Sequence, residues 1–312
     1  MDALKIHELP SLRTPTLVAA FAGWPDAGEV ASGSARYLAR KLRARRFAEL
    51  DPEEFYVFTE TRPTSIILAP GQRALEWPAN EFFAWRDPSG VRDLVILQGR
   101  EPNVNWRGYI DAVLDLAEKC GVSQALALGG TYDAVSHRGA VSLSGHATTP
   151  ELRRQLERLG VEFSTYEGPS SIQAALVESA QRRGIAAASL WGHAPHYVRV
   201  SPNLKVSHGV LSTLRSWLEV DVDLTELQIG GDQLESRVDE AMSDNPDLRE
   251  YVNHLGVTLD VPLEAAIEDP AKDLPISRPD PADVLRELEE ILNLSREQGG
   301  EQERKPDDRT TE

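Results

Sequence analysis

A single cysteine, Cys120, stands in the 312 residues, so no disulfide framework can form within the chain. No apolar run reaches the roughly 18 residues of a membrane span, and no charged-then-apolar leader opens the sequence, so a cytoplasmic protein is expected. Positive charge is also short. Against 50 Asp and Glu there are 33 Lys and Arg, a net charge of −17, which opposes non-specific binding to nucleic acid or to an anionic membrane. The basic cluster "RKLRARR" (40–46) sits where a predicted helix ends; cations suit a helix C-terminus, so it reads as a solvated face. Trp106, Ile110, Val113, Ala117 and Cys120 recur at steps of three and four, which turns the thiol toward a helix core and away from chemistry.

What is present is enough apolar content for a core, 41% of the chain. Strand-like runs recur at 16–22 ("TLVAAFA"), 54–60, 93–99, 124–130, 162–166 and 185–191, several of them continuous, as strands covered on both faces read. Helical patterns lie between them, at 29–46, 105–119, 150–160 and 170–183. Thr149 before Pro150 starts the third of these, and Gly160 and Gly184 stop the third and fourth. This alternation predicts a doubly wound, three-layer α/β/α sandwich over residues 1–200. Helices at 206–220, 233–242 and 246–255 without intervening strands predict a C-terminal helical appendage over 201–260. Residues 261–312 carry seven Lys or Arg against fifteen Asp or Glu, and read as an acidic, mostly flexible tail. Within the tail, Asp280, Pro281 and the stripe Val284, Leu285, Leu288, Ile291 and Leu292 predict one amphipathic helix at 281–295.

Ligands bind α/β sheets at the carboxyl ends of the strands, and five glycine-bearing joints follow strand-like runs here. The first, "FAGWPDAGEV", sets Gly23 and Gly28 five apart, but Glu29 and Val30 stand where a phosphate loop has Lys and a hydroxyl. Trp24 and Pro25 make it too bulky for a dinucleotide fingerprint, so a tight strand-to-helix turn is the plain reading. His193 and His196 are split by Pro195 and lack further ligands nearby, so no metal is expected. His137 and Arg138 could join Asp133 and the hydroxyls of "SLSGHATT" (142–149) in a hydrolytic set, although no nucleophile elbow is present. Asp26, Glu101 and Asp133 could act as paired carboxylates or simply cap helices. The residues by themselves name no reaction, and no cofactor is expected.

Taken in order, "GWPDAG", "GREPNVNW", "GGTYDAVSHR", "YEGPSSI" and "AASLWGHAPHYV" resemble the motifs of the proteasome assembly chaperone 2 (PAC-two) family, over roughly residues 5–260. The resemblance implies a core similar to nucleoside phosphorylases and related hydrolases. It also implies a homo-oligomer, commonly a trimer, and a non-catalytic, chaperone-like protein with partners such as proteasome components. A small-molecule enzyme of the phosphorylase or hydrolase type is the alternative, and a ligase activity finds no support in an ATP loop or Mg²⁺ carboxylates. The chain ends "DDRTTE", without the hydrophobic-Tyr-any ending through which some archaeal relatives dock. The motif residues expected to mark a pocket or a signature are Gly23, Trp24, Asp26, Glu101, Pro102, Trp106, Gly129, Gly130, His137, Arg138, Gly168, Pro169, Pro195, His196 and Tyr197. Arg138 is the natural partner there for an anion.

Overall fold

The computed structural model describes residues 3–243 and, beyond them, 249, 250, 252, 253 and 255. The elements are β1 (Leu4–Ile6), β2 (Thr16–Ala22), α1 (Val30–Lys41), β3 (Arg45–Leu50), β4 (Thr64–Ala69), β5 (Gln72–Glu76), β6 (Glu81–Trp85), β7 (Leu94–Arg100), α2 (Trp106–Lys119), β8 (Gln124–Asp133), β9 (Leu143–Ala147), α3 (Pro150–Glu157), β10 (Glu162–Phe163), α4 (Ile172–Arg182), β11 (Ala186–Pro195), α5 (Leu204–Leu218) and α6 (Thr225–Ser243). The described residues fall into two compact units. The first comprises those of Met1–Asp133, Ala140–Ala194 and Val200–Asp232; the second, those of Ala134–Gly139, Pro195–Arg199 and Gln233–Glu312.

The first unit is built on a nine-stranded sheet ordered β1-β3-β6-β7-β2-β8-β11-β9-β10. Its centre is parallel, with β2 flanked by β7 (Thr16 beside Leu94) and β8 (Thr16 beside Gln124). From Leu17 to Ala22 strand β2 is apolar at every position because both of its faces are covered. Val18 and Ala20 face a cluster with α1 and α5, while Leu17, Ala19 and Phe21 face a cluster with α2 and α4. Together these make the predicted three-layer α/β/α arrangement. The sheet is nevertheless mixed rather than purely doubly wound, since β6 pairs with β7, and β9 with β11, in antiparallel fashion.

Several expectations give way to local chemistry. The predicted helix 29–46 stops at Lys41: Arg43 takes a left-handed φ of 53°, and the Ala44 amide bonds back to the Ala39 carbonyl at 2.9 Å, freeing Arg45–Leu50 to become β3. The expected strand 54–60 is instead a short 3₁₀ turn at Pro52–Glu54 followed by turns, fixed by Asp51 accepting from the Glu53 amide at 3.1 Å. Strands β1, β3, β4, β5, β6 and β9 fall outside the expected runs. Helix α5 begins two residues before the predicted 206–220 and ends at Leu218, while α6 contains the predicted 233–242 and begins earlier, at Thr225. Only scattered residues of 246–255 are described, and the 281–295 helix and acidic tail lie outside the described residues. Cys120 is buried at the end of α2, where burial pushes its thiol up to about 11, so no thiolate forms near neutrality. Among the described residues, no helix is long and apolar enough to cross a membrane.

Candidate functional site

The carboxyl end of β2 turns through "GWPDAGE" into α1. Gly28 there has φ 61°, and a side-chain carbon on it would press on Asn203 and the Val200 carbonyl. The Asp26 amide donates to the Gly23 carbonyl at 3.2 Å, the Gly130 amide to the Pro25 carbonyl at 2.9 Å, and Asp26 forms a parallel bridge with Gly130 of β8. These bonds aim the Asp26 carboxylate into the first turn of α1, where Oδ1 accepts from the amides of Ala31 (2.8 Å) and Ser32 (3.0 Å). Asp26 is only 9% exposed, and burial raises its carboxyl above the ordinary 3.8 despite the bonds from Ser32 and Ala31.

A second carboxylate repeats the device. Glu101 follows β7, its amide donating to the Ala22 carbonyl at 2.8 Å and its Oε1 accepting from the Ile172 amide, at the start of α4, at 3.0 Å. A helix N-terminus is a ready anion site; here two of them are filled by the chain's own acids. Other motif residues set the surrounding turns. The Trp106 indole donates to the Pro102 carbonyl at 2.7 Å, and the Tyr166 hydroxyl to the Pro169 carbonyl at 3.3 Å beside Gly168. Trp24 is 65% exposed, so its ring does not close over the loop. A side-chain carbon on Gly129 would collide with the Trp191 ring, and one on Gly130 would come within 2.8 Å of the Ala27 carbonyl.

In the second unit His137, Arg138, His196 and Tyr197 come together. The Tyr197 hydroxyl accepts from the His137 amide at 2.9 Å and meets Nδ1 at 2.8 Å, while His137 Nε2 faces Asp239 Oδ1 at 3.0 Å. One tautomer satisfies all three bonds, with the proton on Nε2 given to the acceptor-only carboxylate and the Tyr197 hydroxyl given to Nδ1. Burial lowers the His137 imidazole below 6.5, and the bond to Asp239 opposes this. On Asp239 burial works upward, yet the bonds from Arg138 and His137 prevail and hold the carboxyl below 3.8. The Arg138 guanidinium, expected to meet an anion, reaches Asp239 at 2.6 Å and Asn253 at 3.2 Å. His196 packs edge-on against Tyr197.

Asp133 meets a histidine that the sequence reading did not join to it. His193 Nδ1 lies 2.7 Å from Asp133 Oδ2, and its Nε2 lies 2.7 Å from Ser144 Oγ. The sequence named Asp133 and the hydroxyl segment without joining His193 to them, since only the strand order makes it their neighbour. Among the described residues, no group of three or more His, Cys, Asp and Glu could hold a metal. Two cavities of about 390 and 350 Å³ occur in the first unit, one between α4 and His146 and Ser189, the other around Trp217 and Arg158; none of the fifteen motif residues lines either.

A PAC2 family protein from Streptomyces avermitilis is 35% identical, covering 76% of this chain and 99% of its own, with a TM-score of 0.70. A proteasome-assembly chaperone homologue of Mycobacterium tuberculosis is 32% identical over 76% of this chain and 99% of its own, TM-score 0.70. The Pyrococcus furiosus PbaB, an archaeal proteasome activator, is 22% identical over 76% and 97%, TM-score 0.61, and shares the fold. No curated protein matches the sequence. The sequence model of the PAC2 family matches residues 20–242, from the end of β2 to the end of α6, so the chain belongs to the PAC2 family.

Proposed function

We propose that this chain is an assembly-chaperone-like protein that works by holding other proteins, proteasome components foremost, rather than by binding an anionic substrate at the strand edge. The observation that carries this reading is the pair of internal caps. Asp26 and Glu101 fill the helix N-termini where a phosphate or carboxylate substrate would sit. The relatives' descriptions as a proteasome-assembly chaperone homologue and a proteasome activator support the choice of partner. The proposal includes a cytoplasmic homotrimer and a three-part organisation: a core over 1–200 like that of phosphorylases and hydrolases, a helical appendage over 201–260, and an acidic tail over 261–312.

For self-association the β4–β5 hairpin is the surface we assign. Among the described residues it pairs with no other strand, and Ile67, Leu68 and Leu75 are 71%, 65% and 55% exposed on it. An isolated hairpin is marginal in water and an apolar patch of this kind marks an interface, and a second copy of the chain supplies a like surface. Analytical ultracentrifugation of Ile67→Asp with Leu68→Asp tests the assignment. Dissociation to monomer at an unchanged melting temperature supports it, and an unchanged oligomer refutes it. The enzyme alternative keeps one specific support, the Asp133–His193–Ser144 line, which favours its hydrolytic form over phosphorolysis.

A further inference from the structure

Strands β8, β11 and β9 lie side by side, and each contributes one member of a hydrogen-bonded line: Asp133, His193 and Ser144. Because a carboxylate only accepts, Asp133 holds the imidazole proton on Nδ1 and leaves the Nε2 lone pair facing the Ser144 hydroxyl at 2.7 Å. Carboxylate, imidazole and hydroxyl thus stand in the order by which a general base draws the proton from a nucleophile. All three sit on strands of one sheet, which hold side chains more firmly than loops do.

The surroundings supply room for a substrate. Ser144 is paired in register with Trp191, and His146 with Ser189, so these four side chains share one face of the sheet. Gly129 on β8 lacks the side chain that would collide with the Trp191 ring, which clears space for that ring on this face. Two residues along the strands, roughly 7 Å at about 3.3 Å per residue, His146 and Ser189 wall the cavity of about 390 Å³. Its opposite wall includes Ala174, Ala175 and Glu178 of α4; the alanines suit an apolar chain and the carboxylate rejects an anionic one.

We propose that Ser144 is an activated nucleophile that takes the acyl group of a small uncharged ester. The Ser144 oxygen bonds to the carbonyl carbon as its proton passes to His193 Nε2. The tetrahedral adduct then collapses, the bond to the alcohol oxygen breaks, and the alcohol leaves with that proton. Water, deprotonated by the same imidazole, releases the acid and restores the serine. This goes beyond the protein-holding reading and depends only on first-unit residues, so either can fail without the other.

The experiment is acylation of the full chain by p-nitrophenyl butyrate, read as nitrophenolate release and, after acid quenching, as butyryl mass on the Ser144 peptide. Ser144 acquires the acyl group in the wild type. A general base contributes about 10²–10⁴-fold, so His193→Ala and Ser144→Ala each lower the release rate at least about 100-fold. Asp133 is half-exposed, so Asp133→Asn leaves the melting temperature unchanged while acylation slows about 10-fold or more through loss of the imidazole's orientation. No butyryl on Ser144 of the folded wild type, or equal acylation in Asp133→Asn and His193→Ala, overturns the proposal.

Discussion

Replacing Asp26 by alanine removes the acceptor shared by the amides of Ala31 and Ser32 at the start of α1, both bonds being buried. A buried donor left without an acceptor costs about 1–3 kcal/mol, so the pair loses about 2–6. Removing a desolvated carboxylate and admitting water offset part of this, leaving a net loss of about 2–4 kcal/mol. At about 2–4 °C per kcal/mol for a domain of this size, the melting temperature falls by about 4–16 °C. Asparagine keeps an acceptor oxygen and drops the charge, so Asp26→Asn stays within about 1 kcal/mol of wild type. The pH dependence separates the two forms of the side chain. Burial holds the folded carboxyl above 3.8, so the folded chain keeps the proton longer than the unfolded one. That stabilisation is complete below pH 3.8 and is lost as pH rises through the folded value, which moves the balance toward the asparagine variant on going to pH 7. Urea unfolding followed by tryptophan fluorescence at pH 4, 5 and 7 reads all of this. An alanine variant as stable as wild type, or an asparagine variant as damaged as the alanine one, would refute the capping account.

Gly129→Ala forces a carbon into the Trp191 indole; overpacking of this kind costs about 1–3 kcal/mol or more, seen as a lower melting temperature with an altered Trp emission, and an unchanged melt contradicts it. The buried His137 is held below 6.5, so the unfolded chain gains a proton that the folded one refuses, and stability is lost as pH falls from 6.5. Protection factors of the amides in 135–139 and 197–199, taken against the intrinsic rate at each pH, should therefore fall between pH 7.5 and 5.5, and His137→Gln should flatten that fall. His208, also lowered by burial, acts with the same sign in the first unit, so the readout must be local to these segments.

The parts of the fold that were legible are those fixed by burial along a single segment. The run is apolar from Leu17 to Ala22 because both faces of β2 are covered, and Thr149–Pro150 starts α3 with the Thr149 hydroxyl accepting from Leu152 at 3.3 Å. What misled was apolar content with another purpose. Phe55 and Tyr56, read as part of a strand, are loop plugs: Phe55 packs edge-on against Tyr109 at 5.1 Å, and Tyr56 bonds Asn80 and the Arg100 carbonyl. Nor does a glycine announce the end of α1, since Arg43 takes the left-handed position itself. In the site, the glycines and Asp26 follow from the strand-to-helix turn. Glu101 capping a helix that starts 71 residues later, and His193 meeting Asp133, depend on strand order.

The most direct test of the protein-holding account is native mass spectrometry of the full chain purified gently from its natural source, which reports subunit number, bound protein and retained small molecule together. The account predicts a homotrimer carrying proteasome components, with bound protein retained at the same stoichiometry across preparations. A chain that leaves its source free of any protein partner and carrying a stoichiometric anionic small molecule would contradict it.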